Sequence, residues 1–162
     1  MKNASNTSKN TMSKAKLFLD SSALMAGIIS SAGAARVLLV MSETGKVTLL
    51  VNEHVIAETE RSLAKKASHA LPEFRRTLIN ADLKILPNPS AKEVQENLYL
   101  IADKDDVPIL LSAMKAKVDF LVTHNRKHFL DDPKVVELSG LRIGTPGDAL
   151  VWVRESLAGE KQ

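Results

Sequence analysis

Three short runs constrain the fold of this chain more than any other feature. Within residues 16–20 (KLFLD), 47–51 (VTLLV) and 119–123 (DFLVT), positions 17–19, 47–51 and 120–123 are apolar or β-branched without interruption. A strand with one wet face alternates, because successive side chains point to opposite sides. A strand without alternation is covered on both faces, as in a parallel sheet flanked by helices. Helix-compatible stretches separate the runs, at residues 21–29, 34–43, 53–67, 72–81, 90–102, 107–117 and 146–157. Their ends carry recognisable signals. Gly45 stops the second helix, Pro72 suits a first turn, and Ser90 with Glu93 forms a capping box. Shorter strands are expected at residues 83–86 and 141–143. Strands separated by helices predict an α/β fold with a parallel sheet. No repeat and no second domain is visible. Residues 1–15 are expected to be a disordered or expression-derived tail, residues 16–158 one domain, and residues 159–162 a short tail.

Composition matters mainly for what it excludes. Cysteine is absent from the 162 residues, so a disulfide scaffold, a thiolate metal site and a thiol nucleophile are excluded. The formal charge of +3 suggests nucleic acid, but residues 1–16 hold Lys2, Lys9, Lys14 and Lys16 and no acid. Without that +4 the rest of the chain stands at −1. No apolar run reaches the ~20 residues of a membrane span. Asp20 interrupts what would otherwise pass for a signal-peptide core, so a cytoplasmic protein with no membrane partner is expected.

Ligands of open α/β sheets bind beyond the carboxyl ends of the strands. Asp20 ends the first strand there, Asp106 opens a helix, and Asn125 follows the strand that ends at Thr123. Glu58 lies on the helix after the second strand, and periodicity alone does not choose between it and Glu60. Each has a plain alternative: Asp20 and Asp106 as helix caps, Glu58 as a solvated residue, Asn125 as a turn residue. Together they suggest more. A carboxylate after three buried positions is costly unless paired or metal-bound. Converging carboxylates raise one another's pKa, and a hard divalent cation with oxygen ligands relieves both costs.

At these residues the chain resembles the PIN domain family of metal-dependent ribonucleases. Residues 16–24 (KLFLDSSAL) are similar to its opening motif, and residues 51–63 (VNEHVIAETERSL) to its second, in a register that selects Glu58. Residues 106–113 (DVPILLSA) resemble the third motif, residues 119–125 (DFLVTHN) the fourth, and residues 145–150 (TPGDAL) a closing segment. The resemblance implies a three-layer α/β/α sandwich with a central parallel sheet and a site for Mg²⁺ or Mn²⁺. Carried over, Asp20, Glu58, Asp106 and Asn125 are the catalytic metal ligands, with Ser22 and Thr123 in support. Asn125 departs from the family's usual Asp and removes one negative charge. An amide still offers its carbonyl oxygen to a metal.

The activity implied is endoribonuclease cleavage of RNA, with a toxin–antitoxin pairing as a biological variant. That variant requires an antitoxin protein, and the family often forms homodimers. A catalytically weakened fold that binds RNA or protein is the alternative. Arg61 and Lys65, with Lys66, Arg75 and Arg76, form either a solvated face or an RNA-backbone track, and Arg126 and Lys127 adjoin Asn125. His124 and His128 are assigned to the surface or the substrate side. Asp103, Asp105, Asp119 and Asp148 are assigned to caps and turns.

Overall fold

Leu17, Phe18 and Leu19 are exposed by 2% or less, because the strand that carries them is the middle one of five. The computed structural model describes residues 14–160. The tail expected at the N-terminus lies outside these residues up to position 13, as do residues 161 and 162. Strand β1 (Ala15–Leu19) lies between β2 (Val47–Asn52) and β4 (Phe120–Val122). Strand β3 (Lys84–Leu86) and strand β5 (Ile143–Gly144) form the edges, giving the order β3-β2-β1-β4-β5 with every pair parallel. The non-alternating runs thus occupy the three inner positions, and helices flank the sheet as expected for a PIN-like α/β fold.

Most helices fall where periodicity places them: α1 (Ser21–Ile29), α2 (Ala34–Glu43), α3 (Glu53–Lys66), α4 (Leu71–Asn80), α6 (Val107–Lys115) and α8 (Pro146–Glu160). The helix expected over residues 90–102 is shorter. The capping box is present, but α5 (Ala91–Glu96) ends early and a 3-10 turn (Leu98–Leu100) follows. The cause is Asn97, whose side-chain amide donates to the Glu93 carbonyl at 2.7 Å and takes the acceptor that a continuing helix would use. One helix, α7 (Pro133–Ser139), lies outside the helix-compatible stretches of the sequence. Its signals are local: Asp132 accepts from the Lys134 N–H, Pro133 fills the first turn, and Gly140 ends it at φ +72°.

The sole tryptophan, Trp152 on α8, packs a tilted ring 5.9 Å from Phe120 at the start of β4, under the Arg142 guanidinium. Among the described residues no single helix is long and apolar enough to cross a membrane.

Asn52 joins two helices that matter for the site. Fully buried at the end of β2, it caps α3 by accepting from the Val55 N–H at 2.9 Å. Its amide donates to the Pro108 carbonyl and the Ser112 hydroxyl on α6, at 3.1 and 2.8 Å. One side chain therefore fixes α3 and α6 to the same strand end. Asn52→Ala should cost about 2–4 kcal/mol, from a lost cap plus buried groups left unpaired. Urea unfolding measures this, and a loss within experimental error would contradict the pinning role.

Candidate metal centre

The chain leaves β1 toward β2 and β3, then returns on the other side of β1 to form β4 and β5. A crevice opens beyond the carboxyl ends of strands at such a reversal. Asp20 follows β1 there, and Thr123 and Asn125 follow β4.

Asp20 is 4% exposed, and donors converge on it. The Ala23 N–H donates to Oδ1 at 2.9 Å, so the residue does cap α1. The Ser22 hydroxyl also donates to Oδ1, at 2.7 Å, and the Thr123 hydroxyl donates to Oδ2. Each hydroxyl oxygen is itself occupied by a backbone donor from the loop after β4. His124 N–H donates to Ser22 Oγ and Asn125 N–H to Thr123 Oγ1, both at 2.9 Å. With their oxygens engaged, the two hydroxyls turn their protons to Asp20. Burial still dominates and pushes the Asp20 carboxyl above its usual range; these donors pull it back, and the Glu58 charge adds to the rise.

Glu58 is half-buried on α3 and accepts from the Ser21 hydroxyl on α1, while Glu60 is exposed. Packing of α3 on α1 thus brings Glu58, and not Glu60, against Ser21. Asp106 ends a 3-10 turn (Lys104–Asp106), and its side chain caps nothing. Burial pushes its carboxyl up to about 6, and the charges of Asp103 and Asp20 add to that while His128 opposes it. Asp20 is thus the carboxylate that feels both of the others.

Asn125 is differently engaged. Its Oδ1 accepts from the His128 N–H at 3.0 Å, capping a π-helical turn (Arg126–Leu130), and its amide nitrogen lies 3.2 Å from His128 Nδ1. Of the two places expected for His128, surface or substrate side, its side chain takes the one beside the acids. Its side chain is 27% exposed, and Nδ1 lies 2.8 Å from Asp106 Oδ2 and 3.6 Å from Asp103 Oδ2. Asp103 does serve as a cap, accepting from the Asp105 N–H through Oδ1, which leaves Oδ2 facing His128. Among the described residues Asp103, Asp106 and His128 bring one ligand atom each within 4.8 Å of one another. Asp20, Glu58 and Asp106 do not close to that spacing.

The donors present suit a divalent cation. Asp106 Oδ2 is buried and accepts no aligned hydrogen bond, despite the nearby imidazole, and the surrounding carboxylates are hard oxygen donors. The basic residues stand further out. Arg61 and Lys65 are exposed on α3, Arg126 pairs with Asp131 at 3.2 Å in solvent, and Lys127 lines a shallow depression with Lys104 and His128.

A family model described as PIN domain matches residues 16–127. The chain belongs to the PIN domain family. No curated protein matches its sequence. The PIN fold is found again in PAE2754 from Pyrobaculum aerophilum, with a TM-score of 0.63 and 18% identity over 87% of this chain and 96% of that one. It is found also in VapBC2 from Rickettsia felis, whose structure was solved bound to a DNA fragment from its promoter. There the TM-score is 0.57 and the identity 20%, over 80% of this chain and 98% of that one.

The Asp106 environment makes a pH prediction. An acid whose folded pKa lies above its unfolded value binds its proton more tightly when folded. Its stabilising contribution is present below 3.8 and lost as pH rises through about 6. In metal-free protein Asp106→Asn should therefore flatten that decline and raise the unfolding free energy at pH 7 by about 1–2 kcal/mol, after discounting for solvent. A variant less stable than wild type at pH 7 would contradict the burial argument.

Proposed function

We propose that this PIN domain is an endoribonuclease dependent on Mg²⁺ or Mn²⁺, with Asp20, Glu58, Asp106 and Asn125 as its metal-holding residues. The observation that carries the reading is Asp20. A carboxylate 4% exposed receives three directed donors and still faces two further acids. Such a cluster is a liability for folding and is explained if a cation completes it.

A bound Mg²⁺ or Mn²⁺ would supply an activated water and offset charge on the phosphate. The chain's own residues do the rest. Ser22 and Thr123 hold Asp20 in one orientation. Glu58 is fixed on one oxygen by Ser21, leaving the other to accept a proton from attacking water. Arg61, Lys65, Arg126 and Lys127 attract the RNA backbone toward a site that its own acids would otherwise guard. Hydrolysis would leave a 5′-phosphate and a 3′-hydroxyl.

A toxin role with an antitoxin partner is a variant of this reading. It is supported by a protein of the same fold standing in the VapBC2 complex on promoter DNA. A cytoplasmic location and a homodimer belong to the same proposal. The second reading, a weakened fold that binds RNA or protein, is favoured by Asn125, whose carbonyl oxygen already serves the His128 N–H.

Cleavage of a generic single-stranded RNA separates the two. With Mn²⁺ or Mg²⁺, wild type should cut and Asp20→Asn should lose at least about 100-fold. Equal rates for both would sink the nuclease reading. If missing charge limits metal affinity, Asn125→Asp should lower the metal concentration that gives half-maximal cleavage. An unchanged requirement would show that the amide is sufficient or is no ligand.

A further inference from the structure

We propose that Asn52 is a positioning residue of the site: its side-chain hydrogen bonds set how Glu58 and Asp106 face each other across the crevice, and so the affinity for a divalent cation. The inference rests on the metal-dependent reading above and adds to it a residue that touches neither cation nor RNA.

The kind of side chain at position 52 carries the inference. Asn52 is fully buried at the carboxyl end of β2, where an apolar residue would cost less. Capping α3 needs only an acceptor, which Ser, Thr or Asp also supplies. Among these caps Asn alone joins an acceptor to two N–H donors. All of them are used. Oδ1 accepts from the Val55 N–H at 2.9 Å, and the amide donates to the Pro108 carbonyl at 3.1 Å and to Ser112 Oγ at 2.8 Å. A flipped amide would set oxygen against the Pro108 carbonyl and NH₂ against the Val55 N–H, so the network permits one orientation. The two donors do nothing for α3; they hold α6.

The two elements held in this way carry the acids. Glu58 lies five residues beyond the first residue of α3, about 7–8 Å along its axis. Asp106 stands two residues before Pro108, at the turn that opens α6. Among the described residues no hydrogen bond joins Glu58 to Asp106, and the Asn52 amide makes the only side-chain hydrogen bonds between residues 47–66 and α6. Sliding α6 along α3 therefore breaks two buried hydrogen bonds together. Metal ligands need their geometry held within about 0.5 Å, which contacts of this kind supply.

The experiment measures Mn²⁺ affinity of the full chain, from the spin-resonance signal of the free ion, beside urea unfolding of the same samples. Asn52→Ser keeps a cap acceptor but is too short to bridge to α6. It should unfold at higher urea than Asn52→Ala, yet bind Mn²⁺ about tenfold more weakly than wild type. Ser112→Ala leaves the cap and the Pro108 bond in place and should weaken Mn²⁺ binding by a smaller factor. Ser42→Ala is the control. It removes a buried hydroxyl that donates to the Ala81 carbonyl, tying α2 to the end of α4 near the amino ends of β2 and β3. It should lower the urea midpoint and change Mn²⁺ affinity less than about twofold. Wild-type affinity in Asn52→Ser, or an equal loss in Ser42→Ala, overturns the positioning role and leaves the nuclease reading intact. The expected order of Mn²⁺ affinities in a protein that cuts no RNA upholds the positioning role and overturns the nuclease reading. Absence of Mn²⁺ binding by wild type overturns both.

Discussion

A carboxylate buried at the end of the central strand is tolerable only when its charge is answered. Around Asp20 the answer is structural on three sides. The first turn of α1 supplies a backbone N–H, and two hydroxyls bring the loop after β4 into contact with each oxygen. The same arrangement closes β1 against β4 beyond the last ladder bond, since Asp20 N–H still donates to the Val122 carbonyl at 3.1 Å. The path of residues 123–125 is thus set by one acid. Everything that follows β4 in the crevice inherits its position from that contact.

The remaining charges are arranged around this fixed point with different degrees of restraint. Glu58 is held by a single hydroxyl, and Asp106 has an oxygen with no aligned donor. The side of the crevice nearest α1 is therefore preorganised, while the side nearest α6 is electrostatically unfinished. Asn125 sits between the two conditions. Its side-chain oxygen is taken by the His128 N–H and its amide nitrogen faces the His128 ring.

Much of this was legible in the sequence, for identifiable reasons. Runs such as KLFLD and VTLLV announce a doubly covered sheet because burial on both faces removes alternation, and a strand that ends in Asp announces its own cost. Glu58 could be separated from Glu60 only by motif register, since the choice depends on how α3 lies on α1. His128 was hidden because its environment comes from Asp103 and Asp106, which precede it by more than twenty positions. Asn52 was missed because a polar residue at a strand end looks like a turn, and its partners on α6 are distant in sequence. Helix α5 ends before its periodicity does because a side chain competing for a backbone carbonyl leaves no trace in periodicity, whereas α7 is too short for periodicity and is marked only by its Asp-Pro start and glycine stop.

The placement of Trp152 has an optical consequence. Its ring lies against Phe120 at the opening of β4, whereas Thr123 stands three residues along, about 10 Å at the usual rise of a strand. A single emitter therefore watches the amino end of the strand whose carboxyl end holds the acids. Its fluorescence should follow global unfolding faithfully and stay nearly silent while a colourless ion fills the opposite end, so a change in emission during such filling would mean that β4 transmits strain along its whole length.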